Sequence, residues 1–261
     1  MTSFFIFFRL HEVLPGKFRR LEEFYLRPRS GRAFRMELTP PYSRSSIGVG
    51  ILNMKDEIRA LADRYAAELK RSVDKRVADM EQDDRSHALI YEVLGIGNAE
   101  GKLIDVYQNK GRFLYKYAGS FLEEAAKLCF KAKFPDSGSV RVPNTHGKKP
   151  KLFGVDCLVG GDALEIKWRD ATTDGDHITK EHTRMQAVRD AGYKPVRVMF
   201  YYPNRDQAVR IQNTLESLYK SVQGEYHYAD AAWAYVKRRT GVDLLGILKD
   251  LAAERTAQHG Q

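Results

Sequence analysis

Cysteine is nearly absent, with Cys129 and Cys157 the only two in 261 residues. They stand apart inside long hydrophobic patterns. That excludes a disulfide framework or a cysteine-based zinc site and makes them small buried hydrophobes in a reducing, cytoplasmic compartment. No apolar run approaches the roughly 20 residues that a membrane span needs. The longest candidate, Phe4 to Phe8, lacks a preceding basic region and a small-residue cleavage site, so it does not read as a signal peptide. Internal repeats and low-complexity tracts are also missing, which excludes a repeat architecture.

What is present suits a large folded domain. Hydrophobic residues make up 43% of the chain and aromatics 11%, enough for one α/β domain with a sizeable core, or for a catalytic domain carrying a smaller helical piece. The formal net charge of +9 suits a polyanionic partner. It is unevenly spread. Residues 1–50 hold nine basic residues against four acidic ones, so more than half of the excess sits in that stretch.

Three regions follow from the pattern. Residues 1–53 mix aromatics without a clear period, several arginines and the Pro40-Pro41 pair. They read either as an appendage, with Met54 a possible start, or as a basic arm that folds or docks on DNA. Residues 54–110 are helical, led by a stripe of Ile58, Leu61, Tyr65, Leu69, Val73 and Val77. From Gly111 to the end the predicted order is α, β, β, β, α, β, α and two more helices. The first helix, with its stripe of Leu114, Tyr117, Phe121, Ala125 and Leu128, runs to about Lys131. Three strands follow around Val140–Val142, Leu152–Leu158 and Ala163–Trp168, with a turn at Gly160-Gly161. A helix from Ile178 to Asp190, a buried strand from Val196 to Tyr202 and a helix from about Arg205 come next. The expected fold is therefore α/β (α+β), a mixed central sheet flanked by helices, with added N- and C-terminal helices.

The chemistry concentrates in the second and third strands. An acid, Asp156, is followed by the Gly-Gly turn and then by Glu165-Ile166-Lys167. Alternation along a strand points Glu165 and Lys167 to one face and Ile166 into the core, and the hairpin returns Asp156 alongside them. Two carboxylates and one ammonium are the parts that phosphodiester hydrolysis needs. Mg2+ takes one or two protein carboxylates, here Asp156 and Glu165, and the carbonyl of Ile166 can add a ligand. Lys167 would orient the attacking water and stabilise developing negative charge. Glu-x-Lys alone is common on exposed strand edges; the preceding strand acid, the turn and the element order give it weight.

This arrangement resembles the PD-(D/E)XK nuclease superfamily, which includes most type II restriction endonucleases. Val155 rather than proline precedes Asp156, a position that varies in the superfamily. The wider stretch from about Lys102 to Val242, including Gly111-Arg-Phe-Leu-Tyr-Lys-Tyr117, Glu165-Ile-Lys-Trp-Arg-Asp170 and Phe200-Tyr-Tyr-Pro-Asn-Arg205, is similar to the ApaLI type of restriction enzyme. The resemblance implies a dimeric enzyme that cuts duplex DNA at the palindrome GTGCAC. It also implies an additional acid on the helix before the strands, and the helical wheel favours Glu124 over Glu123 because Glu124 falls beside the apolar stripe.

DNA contacts are expected from two loops beside the site. The first, between the first two strands, carries Arg141, Asn144, Lys148 and Lys149, residues suited to phosphates and to base edges; the alternative is a merely soluble loop. The second follows Glu-x-Lys and leads into a helix, with Arg169, Thr173, His177, Lys180 and Arg184 placed to enter a groove. Its acids do not complete an EF-hand, and His177 with His182 lacks the metalloprotease spacing, so calcium-loop and zinc readings fail. Other function classes consistent with the sequence are a structure-selective nuclease with the same core and a non-catalytic DNA-binding protein.

Overall fold

The computed structural model describes residues 44–169 and 176–259, without the side chains of residues 44–52, 176, 177 and 259. The N-terminal extension up to residue 43 and the loop holding Thr173 lie outside the described residues.

Two long helices come first, α1 (Arg44–Glu81) and α3 (Asn98–Lys133), separated by the short α2 (Ala88–Val93). The remaining elements are β1 (Gly138–Pro143), β2 (Leu152–Val159), β3 (Asp162–Arg169), α4 (Asp176–Asp190), β4 (Lys194–Tyr201), α5 (Asp206–Ser221), β5 (Glu225–Tyr228), α6 (Asp230–Thr240) and α7 (Leu244–His259). The five strands lie in sequence order in one mixed sheet. The meander β1-β2-β3 is antiparallel, whereas β3, β4 and β5 are parallel and joined through α4 and α5. The fold is thus mixed α/β, as the sequence implies. No helix among the described residues is long and apolar enough to cross a membrane.

Both faces of the sheet are covered, which explains why its central strands read as continuous apolar runs. On one side Cys157, Leu164, Ile166, Val196, Val198 and Phe200 form a core with α1, α3, α6 and α7. On the other, Phe153, Val155 and Ala163 meet Ala187 and Val188 of α4. Both cysteines are buried and free, and burial pushes the Cys129 thiol up to about 12, as expected for inert core residues.

Two local departures shape β2. Its turn to β3 takes two residues, Gly160 and Gly161, with Val159 opposite Asp162; Gly160 has φ +61°, which an L side chain adopts only with strain. Further back, Gly138 faces Leu158 and Val140 faces Val155, so two steps along β1 match three along β2. This bulge falls at Asp156-Cys157, and Ser139 Oγ donates to the Asp156 carbonyl at 2.8 Å across it. The extra residue flips the alternation, which is why Val155 and Cys157 belong to opposite core layers.

The turn generates a prediction. Gly160→Ala should lower unfolding stability by about 1 kcal/mol, while Gly161→Ala, with ordinary φ and open space at its Cβ, should lower it far less. Equal losses in urea titrations of the two variants would contradict the assigned turn geometry.

Candidate active site

The bulge and the end of strand pairing meet at Asp156. The β2–β3 ladder runs only as far as Cys157 opposite Leu164. One step on, the Ile166 N–H donates to Asp156 Oδ2 at 2.8 Å, so a carboxylate takes the place of a strand carbonyl. Asp156 therefore sits in the opening between the two strands. Glu165 is buried, with Ile166 beside it in the core. Lys167 Nζ pairs with Glu165 Oε1 and stands 3.8 Å from Asp156 Oδ2. Asp156, Glu165 and Lys167 are thus brought to one point, with both carboxylates converging on the same ammonium.

Behind Glu165 lies a chain of buried charges of alternating sign. Arg184 of α4 holds the second oxygen of Glu165 through Nη1 and donates from Nη2 to both oxygens of Glu181 at 2.7 Å. Arg197 of β4 adds a bond to Glu181 at 3.2 Å, and the Tyr219 hydroxyl donates to the same oxygen at 2.7 Å. Burial alone would raise the Glu165 carboxyl, but the Arg184 guanidinium and Lys167 ammonium outweigh it and hold it well below the usual carboxylate range. Asp156 has no guanidinium partner and only the more distant reach of Lys167, at 3.8 Å. Burial and the Glu165 charge push it up to about 7 against the opposing pull of Lys167 and the Ile166 N–H.

Arg184 differs from its expected place on the DNA-facing side of its helix. Glu181, Arg184, Met185 and Val188 share the inner stripe of α4, where the sheet presents Glu165 and Arg197. A charged residue on an inner stripe reads as surface in sequence, and only the buried partners opposite reveal its role. Glu181 and Arg197 were missed for the same reason.

The choice between the two helix acids also resolves differently. The buried stripe of α3 near the sheet is Leu122, Ala125, Ala126, Cys129 and Phe130, whereas Tyr117 and Phe121 turn toward Tyr65 of α1. That rotation sets Glu123 in a recess with Ile166, Lys167 and Arg169, and its charge is among those raising Asp156. Glu124 lies in a separate recess beside Ser139 and Cys157, and Lys127 Nζ pairs with both acids, at 2.5 Å to Glu124 and 3.1 Å to Glu123. Among the described residues no group of three or more acidic, histidine or cysteine side chains gathers around one point. Two carboxylates with a neighbouring carbonyl nevertheless suffice for a hard divalent cation that keeps several waters. Asp156 and Glu165 converge on a cation position that Lys167 alone occupies, so the donor set fits Mg2+.

The other candidates are scattered around this centre. Arg169 is exposed at the end of β3, with its guanidinium over the Tyr115 and Trp168 rings at 5.5 and 5.8 Å. Lys180 is exposed on α4, and of His177 only the backbone, in the first turn of that helix, is described. Arg141, Lys148 and Lys149 are exposed. Asn144 builds its own loop instead, donating to the Pro150 carbonyl at 2.8 Å and accepting from the His146 N–H at 3.1 Å.

A family model of restriction endonucleases, site-specific DNA-cleaving hydrolases, matches this chain. The matching description is ApaLI-like restriction endonuclease and the match covers residues 36–253, so the chain belongs to that family. No curated protein and no solved structure matches it.

The charge pattern predicts stability changes of opposite sign. Asp156→Asn keeps an acceptor for the Ile166 N–H and removes a charge that burial disfavours, so it should raise stability by about 1 kcal/mol, a few degrees in Tm. Arg184→Met leaves Glu165 and Glu181 without their shared guanidinium and should lower stability by about 3 kcal/mol. Denaturation in a chelating buffer measures both, and a loss for Asp156→Asn or a neutral Arg184→Met would contradict the charge balance described.

Proposed function

We propose that the protein is a magnesium-dependent type II restriction endonuclease of the PD-(D/E)XK kind, acting as a homodimer on a palindromic duplex site, GTGCAC by resemblance. The observation that carries this reading is the convergence of Asp156 and Glu165 on Lys167 Nζ where β2 parts from β3. The element order α3-β1-β2-β3-α4-β4 supports it further.

Asp156, Glu165 and the Ile166 carbonyl would hold Mg2+. Bound there, the ion supplies charge neutralisation at the attacked phosphate and a lowered pKa for a coordinated water. The chain's own residues do the rest. Arg184 fixes one oxygen of Glu165 and leaves the other turned to Lys167. Lys167 presents an ammonium at the same point, where it orients the water nucleophile and stabilises charge developing on the phosphate. Glu123, held by Lys127 at 3.1 Å, lines the same recess as Lys167 and adds a third carboxylate near the site. Arg141, Lys148, Lys149, Arg169 and Lys180 are exposed and would contact the DNA, accounting for part of its salt-dependent affinity, and the sequence assigns Thr173 and His177 to the same task. Hydrolysis in this arrangement leaves a 5′ phosphate and a 3′ hydroxyl.

Purified protein with Mg2+ should convert a plasmid of known sequence into discrete fragments whose mapped ends lie at GTGCAC. Asp156→Ala and Lys167→Ala should each cut at least about 100-fold more slowly while binding the same duplex within a few-fold. Undiminished cutting by both variants overturns the site assignment, and cleavage confined to branched DNA would assign the core to a structure-selective nuclease.

A further inference from the structure

The N-terminal half of α3 carries an apolar surface that no described residue covers. Near the sheet, Leu122, Ala125, Ala126 and Cys129 form the buried face of this helix. The same face continues toward the N-terminus at three- and four-residue steps through Ala118, Leu114, Gly111, Tyr107 and Ile104. There it is exposed, with Tyr107 66% and Leu114 51% accessible. The change follows from length. A helix of 36 residues is ~54 Å long, and the sheet ends beside Tyr115 and Gly119, which meet Trp168 near the end of β3.

Beyond that point α3 is accompanied only by α1 and α2 among the described residues. Ser72 and Arg76 of α1 bond Tyr117 and Asn109 on the side away from the stripe. Tyr91 of α2 packs over Gly101, which leaves Leu89, Ile90, Val93 and Leu94 pointing outward, Val93 at 74% exposure. Nine of the twelve large hydrophobics that are exposed among the described residues lie between Leu89 and Tyr115. Four of the nine lie on or just after α2 and five on α3. Together they leave on the order of several hundred Å2 of apolar side chain in solvent, the scale of what each partner contributes to a standard protein interface.

We infer that this helical arm is the dimer interface, and that its occupant is the same arm of a second copy of the chain. The spacing of Ile104, Tyr107, Gly111, Leu114 and Ala118 averages 3.5 residues, the repeat of helices that pack along a shared seam. A two-fold axis through such a seam makes it self-complementary and joins two α1–α3 hairpins in a four-helix bundle. Gly111 sits mid-seam with open space where a Cβ would stand, so two helices can approach closely there. The arm extends past the end of β3 that carries Lys167 and Arg169, so a parallel pairing of the two arms would leave both sites at the same end of the assembly. The inference rests on the homodimer proposed above and assigns its surface.

Light scattering of the full chain after size exclusion separates this from the alternatives. The wild type should show twice the monomer mass. Tyr107→Glu with Leu114→Glu, both at exposed positions, should keep the wild-type circular dichroism and run as a monomer, with dimer dissociation at least about 100-fold easier. Leu152→Glu, equally exposed but on β2, should remain a dimer. A monomeric wild type, as when residues 1–43 cover the stripe, or a doubly substituted chain that stays dimeric, overturns the assignment. Mass is read without DNA, so a failure of the proposed catalysis leaves this test standing. If both hold, the double variant nicks plasmid instead of linearising it.

Discussion

Two carboxylates pressed together away from water repel one another, and much of this structure follows from how that repulsion is managed. Asp156 and Glu165 come from adjacent strands that part where they meet. Lys167 lies between them, and beyond Glu165 the charges alternate through Arg184, Glu181 and Arg197 to the Tyr219 hydroxyl. Asp156 has only a share of Lys167, at 3.8 Å, and burial together with the Glu165 charge pushes its carboxyl up toward neutrality. The two arginines are committed to Glu165 and Glu181 on the inner side, so the outer carboxylates face only one ammonium, as suits a place where a cation and a phosphate arrive together.

Holding that arrangement requires both halves of the mixed sheet. The antiparallel meander supplies the bulge that turns Asp156 out of the ladder, and the parallel half places α4 so that Arg184 reaches Glu165 from behind. α4 also carries exposed Lys180 one residue from buried Glu181. In the proposed complex α4 would meet DNA through Lys180 while Arg184 holds Glu165, which ties the two tasks to a single element.

Much of this was legible in the sequence because it depends on local pattern. The Gly160-Gly161 turn, the alternation around Glu165-Ile166-Lys167 and the strand acid Asp156 all sit within one hairpin, and the structure brings these three side chains together. Longer-range features were less readable. β5, Glu225–Tyr228, was not anticipated, since four residues without an aliphatic side chain carry no strand signature. The face of α3 was misjudged because the helix has two apolar stripes, one toward α1 through Tyr117 and Phe121 and one toward the sheet through Leu122 and Ala126. The stripe through Leu114, Tyr117, Phe121 and Leu128 favours Glu124, whereas the stripe toward the sheet leaves Glu123 in the recess beside Lys167. Arg184 reads as a surface residue because a buried arginine is recognisable only with its partners, and of these Glu181 is one turn back while Glu165 is 19 residues away on β3.

The central claim is that the Asp156–Glu165 pair is where a divalent cation binds. Diffraction from crystals soaked in Mn2+, recorded at the manganese absorption edge, tests it without relying on turnover. The account predicts an anomalous peak in coordination range of both carboxylates, lost in crystals of Glu165→Gln. A strong peak elsewhere with none at this pair, or one that persists there unchanged in the variant, would contradict it.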